Sequence, residues 1–198
     1  MIRNFNNEIS RKLIHISSLL IPLGYIFIIK DKKPMVILLI ILTLISLLIE
    51  YARSNKSSII GYFFHKHLNS ILRPNEKKGY LTGATWMLIG FTISVLIFDA
   101  EIAALSLLFL SIGDSIAGLV GRFFPIGKIW NKSIFGSISG FFSCIIFGYA
   151  VNNTLPFQII FFGAISGMLI ELLPLKLDDN LSIPVFSGSI MQILQDIL

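Results

Sequence analysis

Asp114 stands in the stretch SIGDSIAGLVGR, inside an apolar run that covers residues 102–120. An ionisable residue at membrane depth costs several kcal/mol (~2.5–3.5 on insertion scales), so such residues usually serve a function. Two more carboxylates, Asp178 and Asp179, follow another apolar run. Together the three have the oxygen chemistry that holds Mg²⁺, an ion that favours carboxylates and phosphates. Arg122, Lys128 and Lys132 come soon after Asp114 and supply positive charge suited to phosphate. Gly127, Gly136 and the turn from Ser133 to Ser137 would let backbone N–H groups approach an anion. Metal, basic clamp and glycine approach together suit phosphoryl or nucleotidyl transfer. Asp114, Lys132 and Asp179 are the residues expected to carry catalysis. The alternative for Asp114 is a structural carboxylate, paired with Arg122 or capped by a hydroxyl. The sequence has no GxxxxGK[ST], HExxH, CxxC or GxSxG, so P-loop, zincin, dithiol and serine-hydrolase chemistry lack their signatures.

The elements that must position these groups are hydrophobic. Of 198 residues, 55% are apolar and 14% charged, and mean hydropathy is +0.82. That composition points to a polytopic membrane protein rather than a soluble domain. Six apolar runs cover 13–29, 35–49, 81–98, 102–120, 134–151 and 157–173, with a weaker seventh at 181–198. All are expected to be helices, because lipid offers no partner to backbone groups. The expected fold is an all-α membrane bundle of six or seven spans, forming one integral domain over 1–198. The run at 35–49 is short for a ~30 Å hydrocarbon core and is expected to extend by a turn. The single cysteine, Cys144, falls in an apolar run and reads as a packing residue.

The net charge of +5 belongs to topology. With the N-terminus inside, Arg3 and Lys56 among them, 13 of the 16 Lys and Arg residues fall on the cytoplasmic side. Only Lys30, Lys32 and Lys33 fall outside. The reading is a multi-pass protein of a prokaryotic cell membrane, with its N-terminus and site facing the cytoplasm and no nucleic-acid partner. The longest inside connection, 50–80, places Ile59, Ile60, Phe63, Phe64, Leu68, Ile71 and Leu72 at near-helical spacing, with polar residues opposite. That pattern predicts an amphipathic helix lying in the membrane interface.

This topology brings the polar residues to one depth. His15, Glu50, Arg53, Arg73, Glu76, Glu171 and Asn180 all fall near the inside ends of different helices and are expected to support one cytoplasmic pocket. On a helical wheel Ser111, Asp114, Ser115, Gly118 and Arg122 form one stripe. Gly113, Ala117 and Gly121 mark close helix contact.

The sequence resembles the polyprenol kinase family: dolichol kinase, phytol kinase and CTP-dependent diacylglycerol kinase. It is also similar to the wider superfamily that contains phosphatidate cytidylyltransferase. The residues that carry the resemblance are RKLIH (11–15), Glu50-x-x-Arg53, RPNEKKGYLTGAT (73–85), GDSIAGLVGRFFPIGK (113–128), NKSIFGS (131–137) and ELLPLKLDDNLSIPVFSG (171–188). The resemblance implies a Mg²⁺-dependent kinase that moves the γ-phosphate of CTP to the hydroxyl of a membrane lipid. Polyprenol, a phytol-like alcohol and diacylglycerol are the acceptors it allows. It implies that Asp114 is metal-associated, that Arg122, Gly127, Lys128, Lys132, Ser133, Gly136 and Ser137 form the CTP-phosphate element, and that Asp178, Asp179 and Asn180 form the late acidic element. Asp179 or Glu76 is the candidate base. One departure matters: the family pattern has Glu where Phe135 stands, and its loss is expected to affect metal geometry or activity. Two other readings remain, a phosphatidate cytidylyltransferase and a non-catalytic lipid-binding or transport protein.

Overall fold

The computed structural model describes residues 11–55, 58–69, 71–130, 132–152 and 154–198, without the side chain of His65. Arg3, Lys56 and Asn131 of the sequence reading lie outside the described residues.

The chain is an all-α bundle. Helix α1 runs over Arg11–Ile29 and α2 over Lys32–Ser54. The short α3 (Ile59–Phe63) continues as a π-helical turn over Phe64–Leu68, and α4 (Pro74–Lys77) is one turn. Then come α5 (Gly83–Ile97) and α6 (Ala100–Phe123). A small antiparallel hairpin, β1 (Lys128–Ile129) and β2 (Lys132–Ser133), leads into α7 (Ile134–Val151). Helices α8 (Phe157–Leu172) and α9 (Asp179–Ile197) complete the fold. Among the described residues, α1, α2, α6 and α7 are long and apolar enough to cross a membrane. α5 and α8 are apolar but shorter. The seven long helices coincide with the seven apolar runs of the sequence. α2 exceeds its run at both ends, from Lys32 through Ser54, because flanking charges do not interrupt a helix once its backbone bonds propagate.

Helix α6 is the centre. Ile102, Leu107, Leu108, Phe109 and Leu110 are fully buried, and α5, α7, α8 and α9 pack around it. α2 lies at the periphery with Ile37, Ile41, Leu44 and Leu48 exposed. So broad an apolar face has no place in water and suits lipid. Close approach of α6 and α7 depends on Gly136. A β-carbon there would come 2.5 Å from Ala117 O and 2.8 Å from Gly121 Cα.

Within α6, Phe109–Asp114 is π-helical, and Asp114 is its last residue. A π turn inserts one residue into the helical register and often accompanies a functional site. The turn is followed by α-helix again over Ser115–Phe123. The stripe expected at Ser111, Asp114 and Gly118 faces α1. Ser111 Oγ is 2.8 Å from Ser18 Oγ, and Gly118 meets the end of the Lys12 side chain.

Candidate functional site

The polar residues gather where α1, α5, α7 and α9 begin and where α2, α6 and α8 end. A cavity there has a volume of about 500 Å³. Asp114, Glu171 and Asp179 give it three carboxylates, and Lys12, Arg73, Arg122, Lys128 and Lys132 give it five cations. Ser133 and Ser137 also line it. The structure thus brings together residues from six separate elements that the sequence reading assigned to one pocket.

Lys132 is the hub. The hairpin carries it to the cavity from β2, where Lys128 pairs with Ser133 and Ile129 with Lys132. Its ammonium donates to Asp179 Oδ2 at 2.7 Å, pairs with Glu171 Oε1 at 3.1 Å, and donates to the Glu171 carbonyl. Burial pulls the Lys132 pKa down, but the Glu171 and Asp179 carboxylates outweigh it and hold the ammonium above its ordinary value. Glu171 is fixed from its other oxygen, where Ser137 Oγ donates to Oε2 at 2.7 Å. At the start of α9, burial pushes the Asp179 carboxyl above its ordinary value, Lys132 opposes this, and Asp114 and Glu171 add to it.

The start of α7 is built by its own cap. Ser133 Oγ accepts from Gly136 N at 3.3 Å and donates to Ile126 O at 3.0 Å. The Gly136 N–H is therefore already partnered, and Gly136 does not line the cavity. Gly127 does not line it either. Its φ of +65° requires glycine for the turn that brings Ile134 N to Gly127 O at 2.8 Å. Of the seven residues expected to hold nucleotide phosphate, Arg122, Lys128, Lys132, Ser133 and Ser137 face the cavity, while the two glycines shape its wall.

Asp114 is held from α1. Lys12 Nζ donates to Asp114 Oδ2 at 2.6 Å and to Asp114 O at 2.9 Å. His15 Nδ1 is 3.3 Å from the same Oδ2. Lys12 is the site residue that sequence reasoning missed. As the second of two basic residues opening an apolar run, it reads as a topology charge. The available signal was its spacing: Lys12 and His15 are three apart and share a helical face. Gly118 makes room for it, since a side chain there would strike the lysine end.

The expected trio of metal ligands is not one cluster. Asp114 and Asp179 share the cavity, but Asp178 faces a neighbouring cavity of about 470 Å³. There it pairs with Arg73 Nη1 at 3.2 Å and accepts from Asn180 N at 3.1 Å as the α9 cap. Among the described residues, no group of three or more His, Cys, Asp or Glu side chains could hold a metal by itself. Two carboxylates in a cavity lined with cations still fit Mg²⁺, which takes one or two carboxylates and fills the rest of its shell with phosphate and water.

Glu50, Arg53 and Glu76 do not face this cavity; they brace its wall. Glu50 Oε1 accepts from Thr82 N at 2.9 Å, Thr82 Oγ1 at 2.6 Å and Thr85 Oγ1 at 2.9 Å. Its Oε2 accepts from Arg53 Nε at 2.9 Å. Arg53 in turn donates to Glu76 O at 2.8 Å and Tyr80 O at 2.9 Å. Glu76 accepts from Arg73 N at 2.7 Å and Gly83 N at 2.9 Å. Asn180 closes the brace by donating to Gly83 O at 3.0 Å. The network fixes residues 73–85, and with them Arg73.

Phe135 points away from the cavity. It is 42% exposed and stacks edge-on against Phe124, with ring centroids 6.1 Å apart. Phe135 is not among the residues that line the cavity.

Fold and cavity define a polytopic helix-bundle protein with a mixed-charge cavity at one end of the bundle. The chain is 30% identical over 151 residues to the CTP-dependent diacylglycerol kinase 1 of Schizosaccharomyces pombe, covering 66% of this chain and 68% of that protein. It belongs to the family of lipid kinases that this relative represents. It is also 27% identical over 141 residues to a probable chloroplastic phytol kinase 1 of Glycine max, covering 60% of this chain and 45% of the relative. An uncharacterized protein of Rickettsia prowazekii, RP860, is 32% identical over 191 residues, 92% of each chain. No family model matches the chain, and no solved structure matches it significantly.

Proposed function

We propose that the protein transfers the terminal phosphoryl group of CTP to the hydroxyl of a membrane lipid alcohol, from the cytoplasmic side of a prokaryotic cell membrane. The observation that carries this reading is the 500 Å³ cavity itself, where Arg73, Arg122, Lys128 and Lys132 face Asp114, Glu171 and Asp179 at the helix ends. A triphosphate meets cations there on several sides, which suits a transfer that depends on positioning and on offsetting charge. Mg²⁺, when bound with the nucleotide, would supply further charge compensation on the phosphates, and Asp114 and Asp179 are the residues to hold it. The lipid oxygen bonds to the γ-phosphorus, the bond from that phosphorus to the bridging oxygen breaks, and CDP leaves with the electron pair. Of the two candidate bases, Asp179 lines the cavity, while Glu76 commits both oxygens to the N–H groups of Arg73 and Gly83. Asp179 is the better placed to take the hydroxyl proton.

The test is a transfer assay on purified protein with γ-labelled CTP or ATP, Mg²⁺, a panel of lipid alcohols and, separately, phosphatidate. A labelled phospholipid with CDP as co-product supports the reading. Pyrophosphate with a CDP-lipid would establish cytidylyl transfer to phosphatidate instead. Neither product, together with no thermal shift by either nucleotide, would leave a lipid-binding or transport protein.

A further inference from the structure

A second cavity adjoins the first, between the start of α1, the segment from α3 to Leu72, and the start of α5. Its volume is about 210 Å³ and its walls include Ile14, Phe64, Leu68, Ile71, Leu72 and Ala84. Its polar lining is Arg11, Lys12, His15, Arg73, Glu76 and Thr82. Lys12 and Arg73 also line the mixed-charge cavity, so the two spaces meet across these side chains. His15 stands at the partition. It faces the apolar cavity, and its Nδ1 is 3.3 Å from an oxygen of Asp114, which faces the other.

We propose that this apolar cavity is the acceptor subsite, which admits the hydroxyl-bearing end of the lipid and presents it to the phosphates across Lys12 and Arg73. The inference rests on the lipid-kinase reading and adds the route and extent of lipid recognition. The occupant follows from the chemistry of the walls. At about 210 Å³, with most of its surface apolar, the cavity is too small for a nucleoside triphosphate and suits a short stretch of hydrocarbon. A lipid alcohol has one polar group, and Lys12 and Arg73 meet it where this cavity joins the mixed-charge one. Ligand pockets usually exceed ~300 Å³, so a cavity this size takes only the carbons next to the hydroxyl. The rest of the chain stays outside. The segment that forms the cavity's outer wall supports this path: Phe64 and Leu68 turn inward, while Ile59 and Phe63 are exposed. An apolar tail can then remain in apolar surroundings from the membrane interface to the cavity. Recognition is confined to the hydroxyl end, so tail length should change KM little, while branching beside the hydroxyl should change it strongly.

The experiment uses the full-length protein in vesicles with a lipid alcohol that carries a diazirine within its first few carbons. Illumination followed by peptide mapping should place label on residues 11–15 and 64–84, and unlabelled alcohol should compete it away. Ala84→Trp and Leu68→Trp fill the cavity and should raise the lipid KM by roughly tenfold or more, with the nucleotide KM unchanged within about twofold. Label confined to α2 or α8, or an unaltered lipid KM in both variants, would overturn the subsite. If the tryptophan variants do not fold, the labelling of wild type decides alone. Wild-type turnover is measured first. A wild-type protein that phosphorylates no lipid alcohol sinks the kinase reading, whereas an active one labelled elsewhere sinks only the subsite.

Discussion

Lys12→Met tests the arrangement of the site most directly, because it removes an ammonium while keeping the apolar stem. Lys12 makes two hydrogen bonds to Asp114, one to the carboxylate at 2.6 Å and one to the main-chain oxygen at 2.9 Å. Both side chains are only 11% exposed. Removing one partner of a buried pair leaves the other charge uncompensated, which costs about 3–5 kcal/mol. His15 still approaches Asp114 at 3.3 Å, so the lower end of that range is expected. For a chain of this length 1 kcal/mol moves Tm by about 2–4 °C, so Lys12→Met should melt at least about 6 °C lower in detergent. The decisive measurement is the double-mutant cycle with Asp114→Asn. Neutralising the stranded carboxylate should return much of the lost stability, so the double variant should cost clearly less than the sum of the singles. Additive losses, or a Lys12→Met variant within about 1 kcal/mol of wild type, would refute the pairing of α1 with α6 through these two residues.

Asp114→Asn should abolish lipid phosphorylation while the protein still inserts and binds the membrane, as read by transfer assay and extraction; wild-type turnover would remove Asp114 from the site. Phe135→Ala should leave the nucleotide KM within about twofold, because the ring packs on Phe124 outside the cavity, and a tenfold rise would show that residue 135 reaches the nucleotide. Glu50→Gln should lower Tm by weakening the support of buried Arg53, and in an active preparation it should raise the nucleotide KM through displaced Arg73; an unchanged Tm would mean the brace carries no stability. The Glu171 and Asp179 carboxylates hold the folded-state pKa of Lys132 above its ordinary value. Its contribution to stability is therefore full below the ordinary lysine pKa and lost as pH rises through the folded one. Lys132→Met should flatten the alkaline decline in stability, and an unaltered alkaline slope would contradict the Lys132–Glu171–Asp179 triad.

The helices were legible because membrane-depth backbone must bond within its own segment, so every long apolar run became a helix in nearly the expected place. Depth was legible for the same reason. Counting residues from the helix ends placed His15, Glu50, Arg53, Asp114, Glu171 and Asp179 at one level. Azimuth was legible only in part. On α6 the stripe of Ser111, Asp114 and Gly118 faces α1 as the wheel places it, although the π turn at Phe109–Asp114 leaves no trace in the hydrophobic periodicity. Glu50 and Arg53 share the depth of Asp114 but point to the loop over 73–85, so they brace the cavity from behind instead of lining it.

Phe135 illustrates the same distinction. In a sequence pattern it occupies the place of a carboxylate between Lys132 and Ser137, two residues that both face the cavity. Once α7 begins at Ile134, however, position 135 turns outward, and Lys132 finds its acidic partners on α8 and α9. The acidic side of the site is therefore assembled from helices far apart in sequence. The motif containing Lys132 supplies the cation and the cap, and Glu171 and Asp179 answer its charge. That assembly predicts where loss of a carboxylate should matter. Glu171→Gln leaves Lys132 with Asp179 as its one carboxylate partner and should weaken nucleotide-dependent thermal stabilisation. Substitution at 135 should not, and the reverse outcome would mean that α7 is turned differently in the active protein.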